Sequence, residues 1–160
     1  MHIYQKMIKY NISSKAVNWN KRIKKIDSIV KNILTHKKEL KFLNNINYEC
    51  NFVLANDSFV KKLNNKYKNT NKPTDILTFI STIDFKNKKK EKYCDIIFSI
   101  ETIMKDSKEN KTDFYDHITH LIIHSFLHIN NYIHDKINDY LKMKKIEINV
   151  LKKFGIDNPY

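Results

Sequence analysis

Residues 113–134 read DFYDHITHLIIHSFLHINNYIH and form the most informative stretch of the chain. This stretch predicts a helix over residues 113–129. Five of the seven histidines fall within it, namely His117, His120, His124, His128 and His134. Composition alone would scatter them along the chain, so the cluster indicates a site.

The spacing of three of these histidines is typical of a metal site. His124 and His128 are four residues apart, so on a helix both imidazoles lie on the same face and reach one metal ion. His134 follows ten residues after His124, which at about 100° per residue places it on another face unless the helix ends. Asn130 and Asn131 lie in that interval, and asparagine readily adopts positive φ. We therefore expect the chain to turn there and fold His134 back.

Three neutral imidazoles with a fourth position open to water are typical of a catalytic zinc site, because structural sites normally have four protein ligands. The alternative is that the histidines are ordinary polar residues of a half-buried helix. We expect that ordinary role for His117 and His120. His120 lies one turn before His124 and could instead support a ligand by hydrogen bonding.

The rest of the chain alternates strand-like and helix-like segments. Asp57 or Ser58 is the expected cap of the helix that begins there, and Gly155 ends the last helix. The predicted strands are residues 3–10, 48–54, 76–80 and 93–98, and the other helices are residues 17–34, 57–67, 100–107 and 136–154. Four strands and five helices indicate an α+β fold or mixed α/β layers. The length of 160 residues suits a single domain, residues 1–160.

Composition limits the class of protein. With 41% apolar residues the chain can fill a core, and no stretch approaches the roughly 20 apolar residues that span a bilayer. We expect a cytosolic protein in which Cys50 and Cys94 are reduced core thiols. The net charge of +13 favours a polyanionic partner such as nucleic acid. Abundant Lys, Asn and Ile with a single arginine also fit the codon bias of an AT-rich genome, so both explanations of the charge stay open.

Several motifs resemble one known family. HSFLHINNYIH from His124 resembles the HGxLHLxGYDH motif of the YbeY family, bacterial zinc-dependent endoribonucleases that mature ribosomal RNA. Leu63, Asn64 and Tyr67, followed by KPTDILTF at residues 72–79, resemble its LNxxYRxKDxPTDVLSF segment. CDIIFSIET from Cys94 and the terminal FGIDNPY are also similar to family segments. The resemblance covers the chain from about residue 50 to the C-terminus.

The resemblance implies a mixed sheet packed by helices, with the metal site on the helix and loop of residues 113–134. It implies one Zn²⁺ per chain on His124, His128 and His134, and hydrolysis of single-stranded RNA. The implied role is rRNA processing at the 3′ end of 16S rRNA and ribosome quality control, with the small ribosomal subunit as partner. We expect neither a membrane partner nor a nucleotide cofactor.

The chain departs from the family motifs at informative positions. Lys68 replaces the motif arginine. Lysine keeps the positive charge but lacks the planar guanidinium group that binds a phosphate with two parallel hydrogen bonds, so we expect weakened activity. Ser125 and Cys94 replace glycines, which predicts a narrower site. Ile133 replaces the aspartate before the last histidine, so any carboxylate that orients a ligand must come from elsewhere, with Asp135 as the candidate substitute.

Lys68 and Asp95 are the predicted catalytic residues. Lys68 would stabilise negative charge on a phosphate, whereas Asp95 would act as a base or support a ligand, unless it has a structural role. Lysines at residues 21–31 and 86–92 would contact RNA phosphates, or else form a solvated surface. A catalytically weakened RNA- or ribosome-binding factor that retains zinc is the alternative function. A zinc peptidase is disfavoured, because no glutamate follows His124 to act as a general base.

Overall fold

The computed structural model of the protein describes residues 8–86 and 90–160. Within these residues the strands are β1 (Lys9–Ser14), β2 (Ile46–Ala55), β3 (Ile76–Asp84) and β4 (Lys90–Ser99). They form one sheet in the order β1-β2-β4-β3. β1 pairs with β2 and β2 with β4 in parallel, whereas β3 pairs with β4 antiparallel. The predicted four-stranded mixed sheet is confirmed, and β3 is one of its edges.

Five helices pack on the two faces of this sheet in the described residues. They are α1 (Ile23–Leu34), α2 (Asp57–Lys68), α3 (Ile100–Glu109), α4 (Phe114–Ile129) and α5 (Ile137–Lys153). Apolar residues of α1, α3, α4 and α5 join one large core cluster, whereas Val60 of α2 belongs to a second, smaller cluster. The α+β class is therefore confirmed. Because α4 contacts α1, α3, α5, β3 and β4, it is the central helix of the larger layer.

The alternation of side chains along β4 separates the two faces. Cys94, Ile96 and Phe98 are buried in the large cluster that includes α4. Ile97 is buried in the small cluster with α2. Since successive side chains of a strand point to opposite faces, Asp95 lies on the α2 side of the sheet.

The N-terminal third differs most from the sequence prediction. In place of one helix over residues 17–34, a short 3-10 turn at Val17–Trp19 precedes α1. Trp19 is fully buried and its indole N–H donates to the Ala55 carbonyl at 2.7 Å, which holds this turn against the end of β2. β1 covers Lys9–Ser14 in parallel pairing with β2, so it continues beyond the predicted end at residue 10. Residues 3–7 of the predicted strand lie outside the described residues.

Two local predictions also need correction. The cap of α2 is Asn56, whose side-chain oxygen accepts from the Phe59 backbone N–H at 3.0 Å, and not Asp57 or Ser58. The lysine-rich segment 86–92 is not wholly a solvated connection, because β4 begins at Lys90 and Lys92 is buried. Residues 87–89 of that segment lie outside the described residues.

Cys50 and Cys94 are free, buried thiols opposite each other on β2 and β4, as predicted for reduced core cysteines. Among the described residues, no helix combines the length and the apolar character that crossing a membrane requires.

Candidate metal centre

The central helix α4 carries a stripe of histidines on one side. The Asp113 carboxylate caps the helix by accepting from the backbone N–H groups of Tyr115 and Asp116 at 2.9 and 3.1 Å. One turn apart near the other end, His124 and His128 bring their Nε2 atoms to 2.9 Å from each other. The predicted pairing of these two imidazoles is therefore present.

A sharp turn after α4 returns the chain to these two histidines. Asn131 has φ 68°, the left-handed conformation predicted from its residue type. Its N–H donates to the His128 carbonyl at 3.0 Å, and the Tyr132 N–H donates to the Leu127 carbonyl at 3.0 Å. These two bonds form a Schellman motif, which satisfies the last carbonyls of the helix.

The turn brings His134 into the cluster. One ring nitrogen from each of His124, His128 and His134 lies within 4.8 Å of the other two. The His134 ring centroid lies 5.5 Å from that of His124 and 4.9 Å from that of His128. His124 and His128 are half-buried, whereas His134 is exposed. The cluster is therefore open to solvent on the His134 side.

Lys92 supports the turn from the neighbouring sheet. Its ammonium is buried and donates to the Ile129 carbonyl at 2.6 Å, with the Asn131 side-chain oxygen at 3.4 Å. A cation at this position also complements the negative C-terminal end of the helix dipole. Burial lowers the pKa of Lys92. Lys92 thus links β4 to the turn that places His134 beside His124 and His128.

Glu147 of α5 is the carboxylate that orients the cluster. Its side chain is fully buried, and Oε1 accepts from His124 Nδ1 at 2.5 Å. Oε2 accepts from His120 at 2.9 Å and also from the Tyr160 hydroxyl. Burial by itself raises the pKa of Glu147, but hydrogen bonds from His120, His124 and Tyr160 outweigh it and lower the pKa to about 2. The carboxylate is therefore ionised at neutral pH.

The hydrogen bonds around the cluster suit a metal ligand set. Since Glu147 accepts from Nδ1 of His124, the Nε2 lone pair of that ring is free for a metal. His128 is held in the same way, because its Nδ1–H donates to the Tyr132 carbonyl at 2.9 Å. Burial, followed by the neighbouring His124 and His134, lowers the pKa of His128 to about 4, so this ring is neutral at pH 7. Neutral imidazoles with Nδ1 anchored are the form in which histidine binds metals.

The structure does not bring the two predicted catalytic residues beside the histidines. Lys68 is exposed at the C-terminal end of α2, the helix on the opposite face of the sheet. Asp95 is exposed on that same face, and its carboxylate accepts from the Asn51 amide at 3.0 Å. Both residues are therefore separated from α4 by the sheet.

The side chains expected to narrow the site lie elsewhere. Ser125 is fully buried and its hydroxyl lies 3.0 Å from the Thr78 hydroxyl of β3. Cys94 is buried in the core beside Cys50. That expectation is wrong, because both side chains point into the packed layers and not toward the exposed His134.

Glu147 and Lys92 were not identified as site residues from the sequence. For Glu147 a signal was present, because it lies between Met143 and Leu151 at four-residue intervals on the buried face of α5. A carboxylate on an apolar stripe needs a partner in the interior. Lys92 shows no comparable signal, because it follows a run of lysines in the sequence. Asp135, the candidate substitute, is exposed.

Comparisons of the sequence with known proteins all point to one family. A family model described as endoribonuclease YbeY matches residues 10–155. The endoribonuclease YbeY of Ehrlichia ruminantium (strain Gardel) is 37% identical over 156 residues, which cover 96% of this chain and 95% of the relative. The endoribonuclease YbeY of Bartonella bacilliformis is 28% identical over 155 residues, which cover 96% of this chain and 98% of the relative.

A solved structure shares the fold. The solution structure of TM1509 from Thermotoga maritima matches with a TM-score of 0.53 and 20% sequence identity. The match covers 93% of this chain and 92% of that protein. At this identity the likeness concerns the arrangement of the elements alone.

Proposed function

The chain belongs to the YbeY family of endoribonucleases, and from this premise we propose that it is a zinc-dependent, single-strand-specific endoribonuclease. Family membership supports a hydrolase that cleaves RNA. The observation that carries the metal dependence is the convergence of His124, His128 and His134, with the Nδ1 atoms of the first two anchored. We propose that residues 1–160 act as one metal-dependent hydrolase domain.

His124, His128 and His134 would hold one zinc ion, with the exposed His134 on the solvent side of the cluster. When bound, zinc supplies a Lewis acid that polarises a phosphoryl oxygen. Glu147 keeps His124 in the tautomer that offers Nε2, and the Tyr132 carbonyl does the same for His128. The exposure of His134 leaves room for a strand of RNA to approach.

The edge strand β3 offers a path from the histidines to Lys68. Thr78 contacts Ser125, the neighbour of His124, on one face of β3. On the other face the Phe79 ring packs on Tyr67, the neighbour of Lys68, with centroids 5.4 Å apart. A single RNA strand that crosses this edge would meet the histidines first and then the Lys68 ammonium. In this arrangement Lys68 would contact a phosphate near the scissile one and stabilise its charge.

The basic surface supports an RNA substrate. The net charge is +13; Lys24 and Lys31 of α1 are exposed, as is Lys21 just before this helix. Such charges attract RNA through its phosphates without reading its sequence. Together with the motifs, this favours ribosomal RNA of the small subunit as substrate, 3′-end maturation and quality control as role, and the cytoplasm as location.

The peptidase alternative has little support in the site. Zinc peptidases with a related spacing use a glutamate directly after the first histidine as general base. Ser125 occupies that position, is fully buried and faces Thr78. Position 125 therefore supplies no carboxylate for that reaction.

The first experiment measures zinc content together with cleavage of single-stranded RNA at low and moderate salt, with duplex RNA as the specificity control. We expect the native protein to carry one zinc and to cut the single strand, and His128→Ala to lose both. His36→Gln is the matched control, because His36 lies outside the cluster and pairs with Glu39 at 3.5 Å. Absence of zinc after reconstitution would refute the metal centre.

A second variant separates a weakened enzyme from a zinc-retaining binding factor. Lys68→Arg restores the planar fork that binds a phosphate with two parallel hydrogen bonds. We expect faster RNA cleavage at nearly unchanged RNA binding. If the native protein binds zinc and RNA but neither form cuts RNA at any salt concentration, the binding-factor function replaces this proposal.

A further inference from the structure

A second cluster of metal-ligand side chains lies apart from the three histidines. Asp75 directly precedes β3, Asp106 lies in α3 and His117 lies in the first turn of α4. One oxygen or nitrogen atom from each of these side chains lies within 4.8 Å of the other two. Three different elements therefore converge on a small volume.

The contacts within this cluster are incomplete. His117 Nε2 lies 3.9 Å from Asp75 Oδ2, which is too long for a hydrogen bond. That nitrogen is buried, and within the described part of the chain it has no hydrogen-bond partner. Asp75 uses Oδ1 to accept from the Ile76 N–H at 2.8 Å and the Thr74 hydroxyl at 3.2 Å. Its Oδ2 is directed toward the unpartnered nitrogen.

The charges of the cluster are unbalanced. Burial and then the charge of Asp75 raise the pKa of Asp106, although His117 and Lys105 act in the opposite direction. Burial lowers the pKa of His117, so its ring stays neutral and does not neutralise the carboxylates. The Lys105 ammonium forms an ion pair with Glu109, with 3.9 Å between Nζ and Oε1. A buried imidazole nitrogen without a partner beside two carboxylates is a costly arrangement that a cation would relieve.

We propose that Asp75, Asp106 and His117 bind a divalent transition-metal cation at a second site. Two carboxylate oxygens and one imidazole nitrogen favour the Mn²⁺ and Zn²⁺ class, because Ca²⁺ and Mg²⁺ prefer oxygen ligands alone. Bonds of about 2.0–2.2 Å require the three atoms to draw closer together. The side chains would rotate to make this approach, and the helices that carry Asp106 and His117 are already in contact.

This site is separate from the three-histidine centre. His117 precedes His124 by seven residues, which places it on the same face of α4 about 10.5 Å along the helix axis. Two-metal catalytic centres hold their ions only about 3.5–4 Å apart, so the two sites would not act on one phosphate as such a pair. A cation here would instead tie α4 to α3 and to the start of β3.

The test counts bound Mn²⁺ by electron paramagnetic resonance in metal-free protein titrated with Mn²⁺ alone. We expect one Mn²⁺ per chain in His128→Ala and none in the double variant, and Asp106→Asn should bind one ion fewer than the native chain. Glu109→Gln is the matched control, because Glu109 is an exposed carboxylate on the same helix. It is expected to bind as many ions as the native chain.

A second measurement covers the case in which Asp106→Asn does not fold. In His128→Ala, Mn²⁺ should selectively broaden the amide resonances around Asp75, Asp106 and His117. The proposal is overturned if His128→Ala binds no Mn²⁺, or if the broadening lies elsewhere. Because the three-histidine centre is already disabled in that variant, these outcomes leave the proposed endoribonuclease function untouched.

Discussion

Replacing Glu147 tests how the buried carboxylate supports the proposed metal centre. In Glu147→Gln the amide oxygen can still accept from His124 Nδ1, but this hydrogen bond is no longer charge-assisted. Such a bond has roughly half the strength of one to an ionised acceptor. The amide NH₂ then faces His120 and Tyr160, which both donate to Oε2 in the native protein.

The expected loss of zinc affinity follows from these contacts. Removing the carboxylate that holds a metal-bound histidine typically costs about 10–100-fold in metal affinity, which corresponds to about 1.4–2.7 kcal/mol. We expect Glu147→Gln in the lower part of this range, because one acceptor remains. Glu147→Leu should reach the upper end, because it leaves His124 Nδ1 without any partner.

The assay is competition for zinc between the protein and a chromophoric chelator, with circular dichroism to confirm the fold. Tyr160→Phe is the matched control, since it removes one hydrogen bond to Glu147 and leaves the bond to His124 in place. Its zinc affinity should change less than that of Glu147→Gln. Native affinity in Glu147→Gln and Glu147→Leu would refute the role assigned to Glu147.

Three further substitutions probe the surroundings of the site. Lys92→Met leaves the Ile129 carbonyl without its donor, so urea denaturation should show that the free energy of unfolding falls by about 1.5–3 kcal/mol. The control Lys90→Met, at an exposed position, should lower it by less than about 0.5 kcal/mol. Equal losses would contradict the role of Lys92. Asn131→Val forces a β-branched residue into the left-handed region and should lower the free energy of unfolding by about 1–2 kcal/mol. Asn131→Gly avoids that strain, so it should lower this free energy less in the same assay. Asp95→Asn should cut single-stranded RNA at the native rate, because the Asp95 carboxylate accepts from the Asn51 amide and lies across the sheet from α4. A large loss of cleavage would show that Asp95 itself takes part in the reaction, as is proposed for Lys68 on the same face.

Local features of the site could be predicted because they depend on residues close together in sequence. A helical repeat places His124 and His128 on one face, and the residue type of Asn131 permits the left-handed turn. Both features are present, with φ 68° at Asn131. The first helix was predicted too long for the opposite reason: the break before α1 depends on Trp19, which bonds to a carbonyl 36 residues away.

The sequence by itself determined the family, the α+β class, and the three histidines that converge at the end of α4. These follow from spacing and residue type, which act over a few residues of backbone. Only the tertiary structure decided that Glu147 orients His124, that Lys92 holds the turn before His134, and that Asp95 lies across the sheet. Glu147 and His124 are 23 residues apart, and Lys92 and Ile129 are 37 apart. Contacts at such separations depend on strand register and helix packing, which no local pattern specifies.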